Sequence, residues 1–542
     1  MKRSWIAAFA LVAGVVLNFA IPPFQNPDEP VHFGAVLRVS LGDGRNAATE
    51  KKILRFMDRN NWWRFVGMGR PYALPKKLGE IPYIMGGNPN RDSYAGIRGL
   101  FVYHLLAGKA LRLAGVTGVE ASYYLLRLFS FLLFLAALGF LGAGFSRLAR
   151  SADAAFARAI FLVLLVPQFL VASIAVNPDM LCVALGAAFF YAAIAIFEGQ
   201  ASIGHYIVAF LAGAAGFLTD KSAFLLLPLA LLLVVFMINR KNVKSTLILI
   251  PVLALVFVLL AYGLTLLFPL QVENSLRIVK ASFAAKARGL KTLFVWDAFN
   301  RRFVALFTDS FFLKFGGMAF GAGRAIVLAW RTLVAVAGAG VVLFFIILPF
   351  AGRTWMRRAK AIAGDGADAE GATDTSVGRG LAAVRPVRER MPEWRMPPRN
   401  AFLVKAVLFS LIAVALQIFG VRISSSADNI YAQGRYLFPV MGFAAVLFVI
   451  GTKTAFDALG AIARGMRLAT RAVAAGKIGT PHKDEKAYKN TESGDSAVGQ
   501  IRAGEFALKA LAVVALFVLT IAIWQYIVPV FHLTIASPHP GI

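Results

Sequence analysis

One cysteine, Cys182, stands in 542 residues, and it lies inside an apolar run. Disulfides within the chain and thiol-rich metal centres are therefore excluded. Acidic residues are also scarce: 28 Asp and Glu against 57 Lys and Arg leave a formal net charge of +29. Charged residues of both signs make up only 16% of the chain while 58% is hydrophobic, and a mean hydropathy of +0.68 excludes a soluble globular protein. The excess of positive charge alone would fit a nucleic-acid partner. Its Lys and Arg fall mostly between apolar runs, however, as the positive-inside bias of membrane proteins requires, so no nucleic acid is expected.

What the chain does have is a series of apolar runs of about 20 residues, each long enough to cross roughly 30 Å of hydrocarbon as a helix. Runs near 5–24, 121–146, 155–176, 178–197, 204–219, 222–238, 245–268, 324–350, 401–420, 435–452 and 506–530 predict an all-α polytopic integral membrane protein. The expected count is about 11 transmembrane helices, within roughly 10–13, forming a single membrane domain over 1–542. The opening "MKRSWIAAFALVAGVVLNFAIPPF" begins like a signal peptide, but its apolar run is long and no small-residue cleavage site follows, so a retained first span is expected. "MKR" sets the N-terminus in the cytoplasm. Alternation then puts "SRLARSADAAFAR", "NRKNVK", "RTWMRRAK" and the basic 453–502 stretch on that same side of the inner membrane.

Two cytoplasmic segments, 353–399 and 453–505, are rich in Gly, Ala, Ser and charge, lack apolar periodicity and read as disordered linkers. On the outer, extracytoplasmic side fall a long first loop of 25–120, a second of 269–323 and the short "RISSSADNIYAQG". Within the first loop "RGLFVYHLLAGKALRLAG" carries Arg98, His104, Lys109 and Arg112 at intervals, which suits an interfacial helix. Trp62, Trp63 and Trp296 read as interface anchors or sugar-stacking platforms, the first being commoner.

Polar residues at helix ends collect on the outer face. Asp28, Glu29 and His32 lie in "FQNPDEPVHFG" after the first span; Asn177 and Asp179 lie in "VNPDM", Asp220 and Lys221 in "LTDKS", and Gln433, Arg435 and Tyr436 in "QGRYLFP". Ionisable groups at membrane depth cost about 2–3 kcal/mol each, so their convergence on one face marks a site. Asn177-Pro178-Asp179 also reads as a turn and helix N-cap, and Asp220-Lys221 as a local ion pair. Arg435 at the positive end of a helix dipole calls for a nearby anion. Pro27 and Pro30 favour extended backbone at Asn26 and Glu29, which sends the Asp28 and Glu29 side chains in opposite directions.

Carboxylates and cations on one face suit transfer of a sugar from a lipid-linked phosphate to an acceptor hydroxyl. Asp28 or Glu29 takes the acceptor proton, while Lys221, Arg435 and Arg98 hold the departing phosphate. Asp28, Glu29 and His32 also offer ligands to a divalent cation, although three residues so close in sequence rarely complete a hard-cation shell alone. His32 reads as a loop-holding residue or a substrate contact.

The pattern "NPDEPVHF" resembles the PDE-x-x-H signature of the bacterial membrane family DUF 2142, which in turn resembles the GT-C class of polyprenyl-phosphate-sugar-dependent glycosyltransferases. "VNPDMLCVALGAAFFYAAI", "TDKSAFLLLPLALLL", "SFFLKFGGMAFG" and "QGRYLFPVM" are similar, in order, to later motifs of that family. The resemblance implies a GT-C-like fold with Asp28 as the carboxylate of the first outer loop and Glu29 beside it. It further implies a polyprenyl-phosphate-linked sugar donor and a glycan or glycolipid acceptor. Two other readings stand beside a transferase: a transporter or flippase of a lipid-linked saccharide, and a polysaccharide polymerase or ligase.

Overall fold

A computed structural model describes residues 3–24, 29–42, 47–60, 62–65, 102–148, 167–199, 201–237, 298–312, 314–315, 320–321, 327–347, 398–423 and 434–474, with isolated positions between 251 and 284. Regular structure among the described residues is helical apart from one two-residue antiparallel pairing, Lys314–Phe315 with Phe320–Gly321. In chain order the helices are α1 (Arg3–Ala20), α2 (Glu29–Leu41), α3 (Ala47–Arg59), α4 (Trp62–Phe65), α5 (Val102–Leu113), α6 (Val119–Leu148) and α7 (Pro167–Ser173). They continue with α8 (Asp179–Glu198), α9 (Ile203–Thr219), α10 (Leu226–Met237), α11 (Ala298–Phe312), α12 (Val327–Ile347), α13 (Pro398–Ile423) and α14 (Met441–Ala474). Short 3₁₀ turns, Lys221–Ala223 and Gly434–Val440, precede α10 and α14.

Among the described residues five stretches are long and apolar enough to cross a membrane: α6, α8, α12, Ala401–Ile423 of α13, and Arg435–Ala463. Ala10–Ala20 and Ile203–Thr219 are shorter apolar helices. This is a helical, multi-pass membrane protein. The expected spans at 506–530 and over most of 245–268 and 155–176 lie outside the described residues.

The chain divides into two compact units, one of Met1–Val334, Ala406–Val449 and Phe506–Ile542, the other of Ala335–Lys405 and Ile450–Glu505. In the first, α8 is the central helix. Its sequence DMLCVALGAAFFYAAIAIFE is apolar on every side, and 89% of its spanning window is buried, as a helix surrounded by other helices requires. It packs on α6, α9, α10 and the 3₁₀ turn Gly434–Val440. Phe189, Phe190 and Phe197 of α8 meet Phe409 and Phe443 edge-on or tilted, with ring centroids 5.1–6.4 Å apart. At the far end of α6 and α8, Arg147 donates to Glu198 at 2.9 Å. Gly199 then ends α8 in left-handed backbone at φ 80°.

In the second unit, small residues bring helices close: Gly451 of α14 lies against the Ala337 and Gly340 backbone of α12. α14 runs to Ala474, which corrects the expectation of a disordered linker from 453. The segment has no proline, and Leu459, Ile462 and Met466 recur at spacings of three and four, a helical period missed beside the charge and glycine. Residues 475–505 and most of 353–399 are outside the described set.

Two boundaries also differ. α1 stops at Ala20 rather than 24, because Pro22 and Pro23 have no N–H to continue the ladder. The helix expected from 435 begins at Met441, since Pro439 cannot donate to the carbonyl four residues back and leaves a 3₁₀ turn in front of it.

The 3₁₀ turn reaches α8 over Gly186, where a Cβ would fall inside contact distance of the Pro439 carbonyl. Gly186→Ala is expected to destabilise by about 1–3 kcal/mol through overpacking. Gly139→Ala, at a helix position with open space, should be neutral or stabilising. Thermal unfolding of both variants in detergent checks the contrast.

Candidate functional site

The break after α1 leaves backbone carbonyls at its C-terminal end that need donors. Arg127, fully buried on α6, supplies them: Nη1 donates to the carbonyls of Asn18 and Ile21 at 2.8 and 2.7 Å, and Nη2 to that of Pro22 at 2.8 Å. Its Nε donates to the Tyr123 hydroxyl at 3.0 Å, one helical turn away on the same face of α6, and the guanidinium lies 4.8 Å from that ring.

The Tyr123 hydroxyl also accepts the Phe24 N–H at 2.8 Å and donates to Glu29 Oε1 at 2.8 Å. Phe24 is the one described non-glycine residue in left-handed backbone, φ 65°, a strained conformation for a bulky side chain. Its ring is held among Phe33, Phe56 and Tyr123, and its carbonyl accepts from Trp62 Nε1 at 2.8 Å. Trp62 and Trp63 are 1% and 3% exposed, so both are core residues of this turn, a correction to their reading as interface anchors or sugar platforms. The short α4 that follows the amphipathic α3 places them in one buried cluster with Ile53, Leu54, Phe56 and Met57 of α3.

Glu29 opens α2 and is fully buried. It is helical, not extended, because Pro30 suits the first turn of a helix, where its missing N–H costs nothing. Its Oε1 accepts, besides Tyr123, the Val176 N–H at 2.9 Å. One carboxylate thus joins the end of α1, the start of α2, α6 and the turn before α8.

That turn carries Asn177 and Asp179, 2% and 8% exposed. Asn177 Oδ1 accepts the Asp179 N–H at 3.1 Å, the turn reading. Asp179 does something else: its Oδ2 accepts from Arg435 Nη1 at 3.2 Å and from Asn177 Nδ2 at 3.3 Å. This is the anion that Arg435 calls for, supplied from 256 residues away. Arg435 also lies 5.6 Å from the ring of Tyr436. Gln417 of α13 donates through Nε2 to the carbonyls of Ser222 and Tyr436, tying the "LTDKS" and "QGRYLFP" turns together. Asp220 caps its own turn by accepting the Ser222 N–H at 2.8 Å.

His32 Nδ1 meets His104 Nε2 at 3.0 Å, with the rings stacked at 5.2 Å. This pair joins α2 to α5, whose Gly108 lets the two helices touch at Val39 and the Val36 carbonyl. Next to it Tyr103 shares a hydrogen bond with Ser130 Oγ at 3.3 Å. Burial, aided by the nearby carboxylates of Glu29 and Asp179, raises the Tyr103 pKa far above the ordinary phenol value, which keeps the hydroxyl protonated.

Glu29, His32, Asn177, Asp179, Arg435 and Tyr436 thus belong to one connected region. Asp28, Arg98 and Gln433 lie outside the described residues, as does the side chain of Lys221. Among the described residues no group of three His, Cys, Asp or Glu side chains could hold a metal ion. Sequence reasoning missed Tyr123, Arg127, His104's pairing and Gln417. Arg127 and Gln417 were visible as polar residues inside the apolar runs of α6 and α13, which is itself a signal of a site.

No family model matches the chain, and no curated protein or solved structure is significantly similar to it.

Tyr123→Phe strands the Phe24 N–H and the Arg127 Nε–H and removes one of the donors to Glu29 Oε1, which keeps the Val176 N–H, so it is expected to cost at least about 2 kcal/mol. Tyr124→Phe, one residue on, should cost under about 0.5 kcal/mol. Unfolding midpoints in one detergent check the difference.

Proposed function

We propose that this protein is a GT-C-like glycosyltransferase of the bacterial inner membrane, akin to the DUF 2142 family, with about 11 spans and its active face extracytoplasmic. The reading rests on one observation: stretches far apart in sequence, at Glu29–His32, Asn177–Asp179, Asp220–Ser222 and Arg435–Tyr436, are tied into one region by hydrogen bonds and an ion pair. A fold needs no such gathering of charge at one end of an apolar bundle, whereas transfer from a lipid-linked phosphate does.

In this mechanism Asp28 is the base. Glu29 is occupied by Tyr123 and Val176 and serves as the anchor that holds the loop. The acceptor hydroxyl gives its proton to Asp28 as its oxygen attacks the anomeric carbon of the donor sugar. The bond from that carbon to the phosphate oxygen breaks, and the phosphate departs on the polyprenyl chain with the bonding electrons. Arg435, with Lys221 and Arg98 as further cations, stabilises the charge that grows on the phosphate. Asp179 orients Arg435 and keeps its charge in place before substrate enters. The acceptor is a surface glycan or glycolipid, and no step is assigned to a metal ion.

Purified protein should transfer label from a polyprenyl-phosphate sugar to acceptors in a native lipid extract. Asp28→Asn should lower the rate by about 10²–10⁴-fold with unchanged unfolding temperature. Transfer retained in Asp28→Asn contradicts the base assignment, and labelled lipid crossing the bilayer without transfer contradicts the enzyme.

A further inference from the structure

Helix α3 has two faces with opposite tasks. Ile53, Leu54, Phe56 and Met57 point into the core, Phe56 lying 5.6 Å from Tyr123 and 5.5 Å from Phe24. Lys51, Lys52, Arg55 and Arg59 are exposed and recur at spacings of three and four, so they form a single basic stripe. Arg59 reaches Glu120 at 3.5 Å, but among the described residues no carboxylate pairs with Lys51, Lys52 or Arg55. Like charges at these spacings repel weakly, and an anion placed over the stripe relieves that repulsion.

The level of the stripe follows from its contacts. α6 has 30 residues, about 45 Å of helix, against roughly 30 Å of hydrocarbon, so its ends stand in the headgroup layer. α3 touches α6 at Glu120 and Tyr123, the first two turns of that helix. Because the apolar face of α3 is spent on the protein core, the face it leaves exposed at this level is the charged one.

We infer that the Lys51, Lys52 and Arg55 stripe is a docking surface for the anionic headgroups of bilayer phospholipids, holding the first outer loop down at the membrane surface. The chemistry is three cations on a rigid helix facing a layer of phosphodiesters. The attraction is worth about a fivefold change in binding for each cation, and salt screens it. This surface stands independently of sugar transfer.

The test uses native mass spectrometry of the full-length protein in detergent, titrated with phosphatidylglycerol, phosphatidylcholine or a polyprenyl monophosphate. Wild type should bind phosphatidylglycerol over phosphatidylcholine. The triple variant Lys51→Gln, Lys52→Gln, Arg55→Gln should bind phosphatidylglycerol up to about a hundredfold more weakly, with phosphatidylcholine unchanged. Its unfolding midpoint should equal or exceed that of wild type, because only repulsion is removed from an exposed face. Unaltered phosphatidylglycerol binding would show a merely solvated face and overturn the inference. Loss confined to the polyprenyl phosphate would also overturn it, by assigning the stripe to the donor.

Discussion

The architecture depends on one buried cation. Arg127 enters the membrane-facing bundle on α6 and has its charge met by the carbonyls at the end of α1 and, through Tyr123, by Glu29. A charge so placed is tolerable only when its hydrogen-bonding groups are met; stripping a partner from a buried charged network costs about 3–5 kcal/mol. The same network therefore enforces three things at once. It satisfies the end of α1 that Pro22 and Pro23 create, it holds Phe24 in strained backbone, and it fixes where α2 starts. The loop bearing the acidic motif is positioned by the chemistry that makes Arg127 tolerable in the bundle.

From that anchor the rest of the region follows through short steps. Glu29 accepts from Val176, which sets the turn before α8; Asn177 shapes the turn; Asp179 receives Arg435 from the far end of the chain. Gln417 then binds two backbone carbonyls and closes the group. Each link is buried or half-buried, where hydrogen bonds and ion pairs are stronger than in water and unmet groups are costly. The arrangement keeps a cation and its carboxylate close together and largely desolvated, with side chains 11% and 10% exposed.

Much of this was legible in the sequence. The apolar runs announce α6, α8, α9, α12 and α13 because hydrophobic length is a strong physical signal. The ordered motifs announce Glu29, Asn177, Asp179 and Arg435 because charge at helix ends must be explained. What was hidden depends on contacts across long separations. Glu29 and Asp28 look equivalent as letters, and only the meeting with Tyr123 and Val176 gives Glu29 an anchoring task. Trp62 and Trp63 look like interface residues until α4 folds them into the cluster around Phe24. The helical continuation to Ala474 was masked by charge and glycine, although its apolar spacing was there to be counted.

The most direct test of the central claim is a cryo-electron microscopy map of the protein in lipid nanodiscs with a non-hydrolysable polyprenyl-phosphate sugar bound. The account predicts the phosphate within hydrogen-bond distance of Arg435, with the Glu29–Tyr123–Arg127 network intact and the sugar facing Asp28. A donor bound away from the 176–179 and 434–440 turns, or a bound state in which Glu29 has left Tyr123 to contact the sugar, would contradict it.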